Sequence, residues 1–314
     1  MKYGFGVDLG GTTVKIAFFD ETGTMLHKWE IPTVTANQGA QILPDIANAV
    51  TQYITDNNIS KEQLLGIGIG VPGPVDDNGN VNRCTNLGWG VFNIHDTLGA
   101  LTGLPVKAGN DANMAALGES WKGGGTGCEN VVFATFGTGV GGGIIIGGKP
   151  LNGVHGAAGE IGHIALNREE TEPCGCGNYG CAEQYCSATG IVRLEKKRLA
   201  LDESPSMLRQ FTPLTCKDVF DASNQNDPLA LEVLEQVYCY MGQFLAAVSC
   251  VTDPETIVLG GGVSKAGQPL LTGAEKYFQK YAFHACRGTK FSLATLGNDA
   301  GAYGAFKLIL NNAH

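Results

Sequence analysis

The chain has 314 residues, enough for two packed lobes rather than a single core. Its formal net charge of −9 argues against nucleic acid as the main partner, because binding a phosphate backbone needs a basic face. Hydrophobic residues make up 43% and charged residues 16%, as in an ordinary globular protein, no apolar run reaches membrane-spanning length, and no membrane partner is expected.

Met1-Lys2 leads directly into a strand over Tyr3–Leu9, not into a targeting peptide. The turn Gly10-Gly11-Thr12 joins it to a second strand, Val14–Asp20, and Glu21-Thr22-Gly23 turns into a third that runs through Ile31. Ile42, Leu43, Ile46, Ala49, Val50, Tyr53 and Ile54 form a helical stripe within Ala40–Asn57. Leu65–Val71 reads as a buried strand stopped by Pro72-Gly73-Pro74, and Pro105–Ala108 as another that gives way to a helix over Asp111–Lys122. After Gly123-Gly124-Gly125 the opening pattern returns: strand Val131–Phe136, glycine turn Gly137–Gly143, strand Ile144–Ile146. This echo predicts two related lobes, each a mixed sheet flanked by helices. A long helix over Asp227–Thr252, a strand at Thr256–Leu259 before Gly260-Gly261-Gly262, and a last helix from about Asp299 to Asn311 complete the pattern.

Glycine is the compositional outlier, at 46 residues or roughly twice its usual share, and reads as tight turns and ligand-facing backbone. Gly137-Thr138-Gly139-Val-Gly-Gly satisfies the dinucleotide fingerprint, but that motif must open a helix, whereas here it opens Ile144–Ile146 and a hairpin. Gly143–Lys149 lacks the Walker A hydroxyl, since Pro150 stands in its place. Two glycine turns remain, at Gly10-Gly11-Thr12 and Gly137-Thr138-Gly139. Each alone fits an ordinary hairpin; as a matched pair facing each other across a cleft they favour backbone nests for phosphate. Asp8, just before the first turn, suits either a turn cap or a holder of hydrated Mg²⁺. Lys15 suits either a phosphate contact or a solvated strand position.

Ten cysteines in a chain of this size, without a secretory leader, point to a reducing cytoplasm and to one metal cluster rather than disulfides. His163, Cys174, Cys176 and Cys181 supply a Cys₃His set that closes a tetrahedral structural zinc site. Cys84, Cys128, Cys186, Cys216, Cys239, Cys250 and Cys286 read as packed, inert thiols. Glu160 and Glu183 flank the cluster without an evident structural task; with Asn and His nearby they suit a polyhydroxylated neutral ligand. His163 can bind metal through one ring nitrogen and donate its other N–H to a sugar hydroxyl. On local grounds Asp111 reads as an N-cap. It also suits the carboxylate that takes a hydroxyl proton during phosphoryl transfer, with Asn110 orienting the acceptor.

Asp8-Leu-Gly-Gly-Thr-Thr-Val-Lys15, Gly70-Val-Pro-Gly-Pro-Val-Asp76, Gly109-Asn-Asp-Ala-Asn113, Phe136-Gly-Thr-Gly139, Gly159-Glu-Ile-Gly-His163 and Cys174-Gly-Cys-Gly-Asn-Tyr-Gly-Cys-Ala-Glu183 together resemble the ROK family of sugar kinases and repressors. Gly260-Gly-Gly-Val-Ser264 and Gly297-Asn-Asp-Ala-Gly301 resemble its late nucleotide-binding segments. The resemblance implies an α/β, two-lobed, actin-like (ribonuclease H-like) ATPase fold with a zinc-binding insertion in the second lobe. The expected lobes are 1–115, joined by the C-terminal helix over about 299–314, and 116–298. It implies Asp111 as general base. Gly73, Asn110, Asp111, Glu160, His163 and Glu183 are implied around the sugar. Asp8, Gly10, Gly11, Thr12, Lys15, Gly137, Thr138, Gly139, Gly261 and Gly262 are implied around ATP and Mg²⁺. Structural Zn²⁺ would sit on His163, Cys174, Cys176 and Cys181, in a cytoplasmic homodimer or homotetramer. The text around Asn110–Glu119 and His155–Ile164 most resembles the family's glucose-phosphorylating members, so transfer of the ATP γ-phosphoryl to the 6-hydroxyl of glucose is expected. Other hexoses or N-acetylhexosamines (N-acetylmannosamine, N-acetylglucosamine, fructose, allose) are the near alternative. A sugar-responsive repressor is the distant one, since repressors carry a helix-turn-helix domain ahead of the first strand and only seven residues precede Asp8 here.

Overall fold

The computed structural model describes residues 1–312, and two compact units account for them: Met1–Glu129 with Gly143–Gly159 and the segment from Thr295, and Asn130–Gly142 with Glu160–Ala294. In the first unit the chain runs β1 (Tyr3–Leu9), β2 (Thr13–Asp20), β3 (Met25–Pro32), a single turn α1 (Ala36–Gly39), α2 (Ile42–Asp56), β4 (Leu64–Val71), β5 (Asn80–Cys84), β6 (Trp89–Asn93), α3 (Ile94–Thr102), β7 (Val106–Asn110) and α4 (Asp111–Lys122). The sheet order is β3-β2-β1-β4-β7, antiparallel from β3 to β1 and parallel from β1 to β7. Strand alternation places Phe5, Val7, Ile67 and Ile69 in one core with Ile42, Ile46 and Val50 of α2 and Leu98 of α3. The β5–β6 hairpin and α3 lie in a stretch where the sequence pattern predicts no element.

In the second unit β8 (Val131–Phe136) is followed by β9 (Val140–Ile146), whose last residues from Gly143 are counted with the first unit, as is β10 (Lys149–Pro150). Then come α5 (Glu183–Cys186), α6 (Ala188–Leu201), α7 (Cys216–Asn224), α8 (Pro228–Thr252), β11 (Thr256–Gly260), α9 (Gln268–Tyr281) and β12 (Lys290–Leu293). The sheet order β10-β9-β8-β11-β12 repeats that of the first sheet. β8, β11 and β12 are parallel, and β11 is buried along its whole length, as expected of a strand covered on both faces. α8 starts where Asp227 accepts from the Leu229 and Ala230 N–H groups with Pro228 at the first turn, and buries Val233, Val237, Met241, Phe244 and Val248. The glycine turn is shorter than expected. β9 begins at Val140, so Gly141–Gly143 lie in a strand; a Cβ on Gly143 would come within 2.5 Å of Ala116 Cβ on α4.

The chain returns to the first unit through α10 (Ala300–Asn311); of the span expected for this helix, residues 313 and 314 lie outside the described residues. Here glycine has a use not anticipated from sequence. Gly6 and Gly68 leave one face of the sheet bare, and an added Cβ would come within 2.1 Å of the Ala302 carbonyl oxygen or 1.7 Å of that of Ala305. On its other flank α10 meets α4 backbone to backbone: a Cβ on Gly304 would lie 1.7 Å from Met114 O, and one on Gly118 2.1 Å from Ala300 O. This packing keeps α4 with the first unit, whose opening segment runs to Glu129, beyond the division expected at 115/116.

Candidate active site

The β7–α4 junction presents Asn110 and Asp111. Asn110 is the N-cap, its Oδ1 accepting from Ala112 N at 3.0 Å and Asn113 N at 3.2 Å, while its Nδ2 donates to the Gly73 carbonyl at 3.2 Å. Asp111 is therefore the first helical residue, not the cap, and its Oδ1 accepts from Ala112 N at 2.8 Å. A carboxylate in that first turn is favoured by the helix dipole. The strand beneath is held by His95, whose Nε2 accepts from Ala108 N at 2.9 Å. Burial, and then Lys107, lower the His95 pKa, which keeps the ring a neutral acceptor.

At the start of the same unit Asp8 pairs across the sheet with Lys15 and Gly70. Lys15 Nζ lies 3.5 Å from Asp8 Oδ2 and 3.2 Å from Asn298 O. Burial raises the Asp8 pKa against the opposing pull of Lys15. Gly301 leaves room for this carboxylate at the first turn of α10, where a Cβ would stand 2.7 Å from Asp8 Cγ. Gly10 N donates to Thr13 O at 3.0 Å and Thr33 Oγ1 to Gly10 O at 2.8 Å, closing the turn and leaving Gly11 and Thr12 exposed. Asp8, Gly10, Gly11, Thr12 and Lys15 thus gather at one end of the first sheet.

In the second unit Gly137–Gly139 is a tight turn, with Gly137 N donating to Gly139 O at 2.9 Å, and it exposes Thr138. Gly261 has φ +82°, and a Cβ there would stand 2.4 Å from Phe136 O, so only glycine brings the end of β11 this close to β8. Gly262 lines a cavity of about 460 Å³ with Ala188, Cys216, Phe220, Asn224 and Lys265. Thr138 lines another of about 520 Å³ with Thr189, Val192, Lys196 and Leu214.

His163, Cys174, Cys176 and Cys181 offer four ligand atoms within 4.8 Å of one another. The Cys176 and Cys181 sulfurs are 3.7 Å apart, close to the roughly 3.8 Å that two tetrahedral bonds of about 2.3 Å require. His163 turns Nδ1 to the cluster, 3.9 Å from Cys174 Sγ, and Nε2 to Glu160, 3.9 Å from Oε2. Burial, with the Cys176 and Cys174 thiols, pushes the Cys181 thiol up to about 12, so a bound cation is what would hold it as thiolate. The donor set and its spacing fit a structural metal. Glu183 stands against the glycine turn, Oε2 accepting from Val140 N at 3.0 Å and Oε1 lying 3.4 Å from Cys174 Sγ. It therefore joins the cluster to the turn, a link that sequence did not reveal. All ten cysteines are free thiols; Cys84, Cys186 and Cys286 are buried as expected, but Cys250 is exposed and Cys128, Cys216 and Cys239 are only half-buried.

Two further groups are visible only in the structure. Glu119 is buried and accepts three backbone N–H groups, from Gly124, Thr295 and Leu296, at 2.9–3.0 Å, which ties α4 to the segment that enters α10. Arg193 pairs with Glu170 at 2.7 Å and Glu172 at 2.9 Å, clasping the segment ahead of Cys174 to α6. Neither has a local signature, because Thr295 and Leu296 lie 176 and 177 residues from Glu119, and Glu172 and Glu170 lie 21 and 23 from Arg193.

The ROK family model matches residues 4–312. The chain is 45% identical to a glucokinase of Halalkalibacterium halodurans over 97% of this chain and 94% of that protein. Among solved structures, a ROK family glucokinase from Streptomyces griseus in complex with glucose and AMPPNP superposes with a TM-score of 0.72 at 32% identity, covering 98% of both chains. A ROK hexokinase from Thermus thermophilus superposes at 0.76 and 30% identity, over 98% of this chain and 97% of that one. The mixed α/β architecture with two sheets is that of the actin-like ROK sugar kinases, and this chain belongs to the ROK family.

Proposed function

We propose that this protein is a sugar kinase that transfers the γ-phosphoryl group of ATP to the 6-hydroxyl of glucose. The observation that carries the reading is the division of labour at the β7–α4 junction. Asn110 is the residue that caps the helix, which sets Asp111 in the first turn beside it, and the Asp111 carboxylate is assigned to take the hydroxyl proton as the O–P bond forms. Gly73, Asn110, Glu160, His163 and Glu183 are assigned to the sugar hydroxyls. Glu183 keeps lone pairs for a hydroxyl beyond the Val140 N–H, and Nε2 of His163 remains for donation once Nδ1 serves a metal. Gly10, Gly11, Thr12, Lys15, Gly137, Thr138, Gly139, Gly261 and Gly262 are assigned to the nucleotide. Asp8 is assigned to Mg²⁺, which when bound neutralises charge on the transferring phosphoryl oxygens. Zn²⁺ on His163, Cys174, Cys176 and Cys181 would have a filled coordination shell and so serve structure, not Lewis-acid chemistry.

A coupled assay with ATP across glucose, fructose, mannose and N-acetylhexosamines tests the substrate, with glucose expected to give the highest kcat/KM. Asp111→Asn tests the base: turnover is expected to fall about 10³-fold or more while glucose binding by calorimetry persists. Substantial residual turnover removes Asp111 from that role, and equal efficiency on N-acetylhexosamines removes glucose as the assigned substrate.

A further inference from the structure

Three segments of the first unit meet at one side chain, Asn152. Its Oδ1 accepts from Asn113 Nδ2 at 3.1 Å, and its Nδ2 donates to Asp77 Oδ1 at 2.7 Å. Asn113 is buried in the first turn of α4, and its backbone N–H is one of the two that cap on Asn110. Asp77 closes the 72–77 segment, whose Gly73 carbonyl receives the Asn110 amide. The contacts therefore form a circuit: from Asn110 to Gly73, along the chain to Asp77, then through Asn152 and Asn113 back to Asn110. The loop bearing Asn152 closes on itself, with Ala158 N donating to Asn152 O at 3.1 Å. Gly156 of that loop seats on the same segment, where a Cβ would stand 3.1 Å from Val75 N and 3.2 Å from Pro74 Cβ. The polarity is fixed as well. A carboxylate accepts, so Asn152 turns its NH₂ to Asp77 and its oxygen to Asn113.

We infer that Asn152 is a positioning residue for sugar binding: it holds the 72–77 segment and the 151–159 loop in register with the Asn110–Asp111 helix start. This rests on the kinase reading above. Its function is to fix where Gly73 and Asn110 stand, not to touch the reacting atoms, so its loss is read in sugar affinity rather than in chemistry.

The test exploits the polarity. Asn152→Asp sets a second carboxylate against Asp77, whereas adding Asp77→Asn restores two donors around one acceptor and leaves the net charge unchanged. Asn152→Asp is expected to raise the KM for glucose about tenfold, the equivalent of one lost contact to a charged group, with kcat and the KM for ATP little changed. Amide hydrogen exchange across 151–159 is expected to speed up in the same variant, and the double variant to recover both readouts. Unchanged KM and exchange in Asn152→Asp, or a folded double variant that stays impaired, overturns the inference. Glucose phosphorylation by the unaltered chain reads the kinase assignment separately. If that activity is missing, the kinase assignment falls and the sugar-positioning role with it, while exchange that still follows the pairing upholds the tether itself.

Discussion

Glu195 on α6 is fully buried, and neither carboxylate oxygen has a partner among the described residues. Burial first, and then the Asp227 charge, push its pKa up to about 7, against the opposing pull of Arg198. The folded chain therefore keeps a proton that the unfolded chain, titrating near 4.5, releases. This contribution to stability is full below about pH 4.5 and lost as pH rises through about 7, and it amounts to about 3 kcal/mol for such a shift. Glu195→Gln keeps the neutral shape without the titration, so the variant should melt higher than the parent at pH 8 and above, with the gap closing toward pH 5. Parallel melting curves with pH would sink this account. The same scale shows what sequence can and cannot disclose. The Cys₃His set and the Asn110-Asp111 pair are legible because their members lie within one short stretch or one known signature. Glu119 and Asn152 are not, because the groups they bind lie as far as 177 residues away.

The segment from His163 to Cys186 is held in two ways. Besides the cluster, Glu170 accepts from Tyr185 Oη at 2.7 Å and pairs with Arg193, which, as its largest influence, holds that carboxyl down to about 2. This second hold survives any ordinary pH, so chelating a bound metal should loosen the 174–181 turn without melting α6 or α8. Limited proteolysis after chelation is expected to cut within 174–181 while the remainder stays folded, with loss of kinase activity; a chelated protein as protected and as active as before would contradict it. Element boundaries follow similar logic. α8 and β11 are legible because periodicity and burial coincide in them, whereas α6, α7 and α9 become legible only in the structure. The α6 stripe is narrow, with Gly190, Ile191 and Glu195 its buried residues, and one of these three is a carboxylate. α10 gives the sharpest test at this scale. Gly68→Ala puts a methyl group 1.7 Å from the Ala305 carbonyl and should cost about 3 kcal/mol by overpacking, seen as a lowered denaturation midpoint. A neutral result would mean that α10 is free to ride up.

Across the whole chain the two sheets share one strand order, of which the sequence announces only the repeated strand–glycine turn–strand opening. The unit bounds were less legible. The chain changes unit after residues 129, 142, 159 and 294, and which unit a segment joins is decided by packing partners far away in sequence. The bare face beneath α10 has a further consequence. Because main chain rests on main chain at Gly6, Gly68, Gly118 and Gly304, no rotamer can absorb an error in where α10 begins. The distance from Lys15 to Asn298, just ahead of α10, is thus calibrated by residues that possess no side chain. A single methyl group at any of these positions would miscalibrate a charged site from several residues away, leaving each of its functional groups chemically intact.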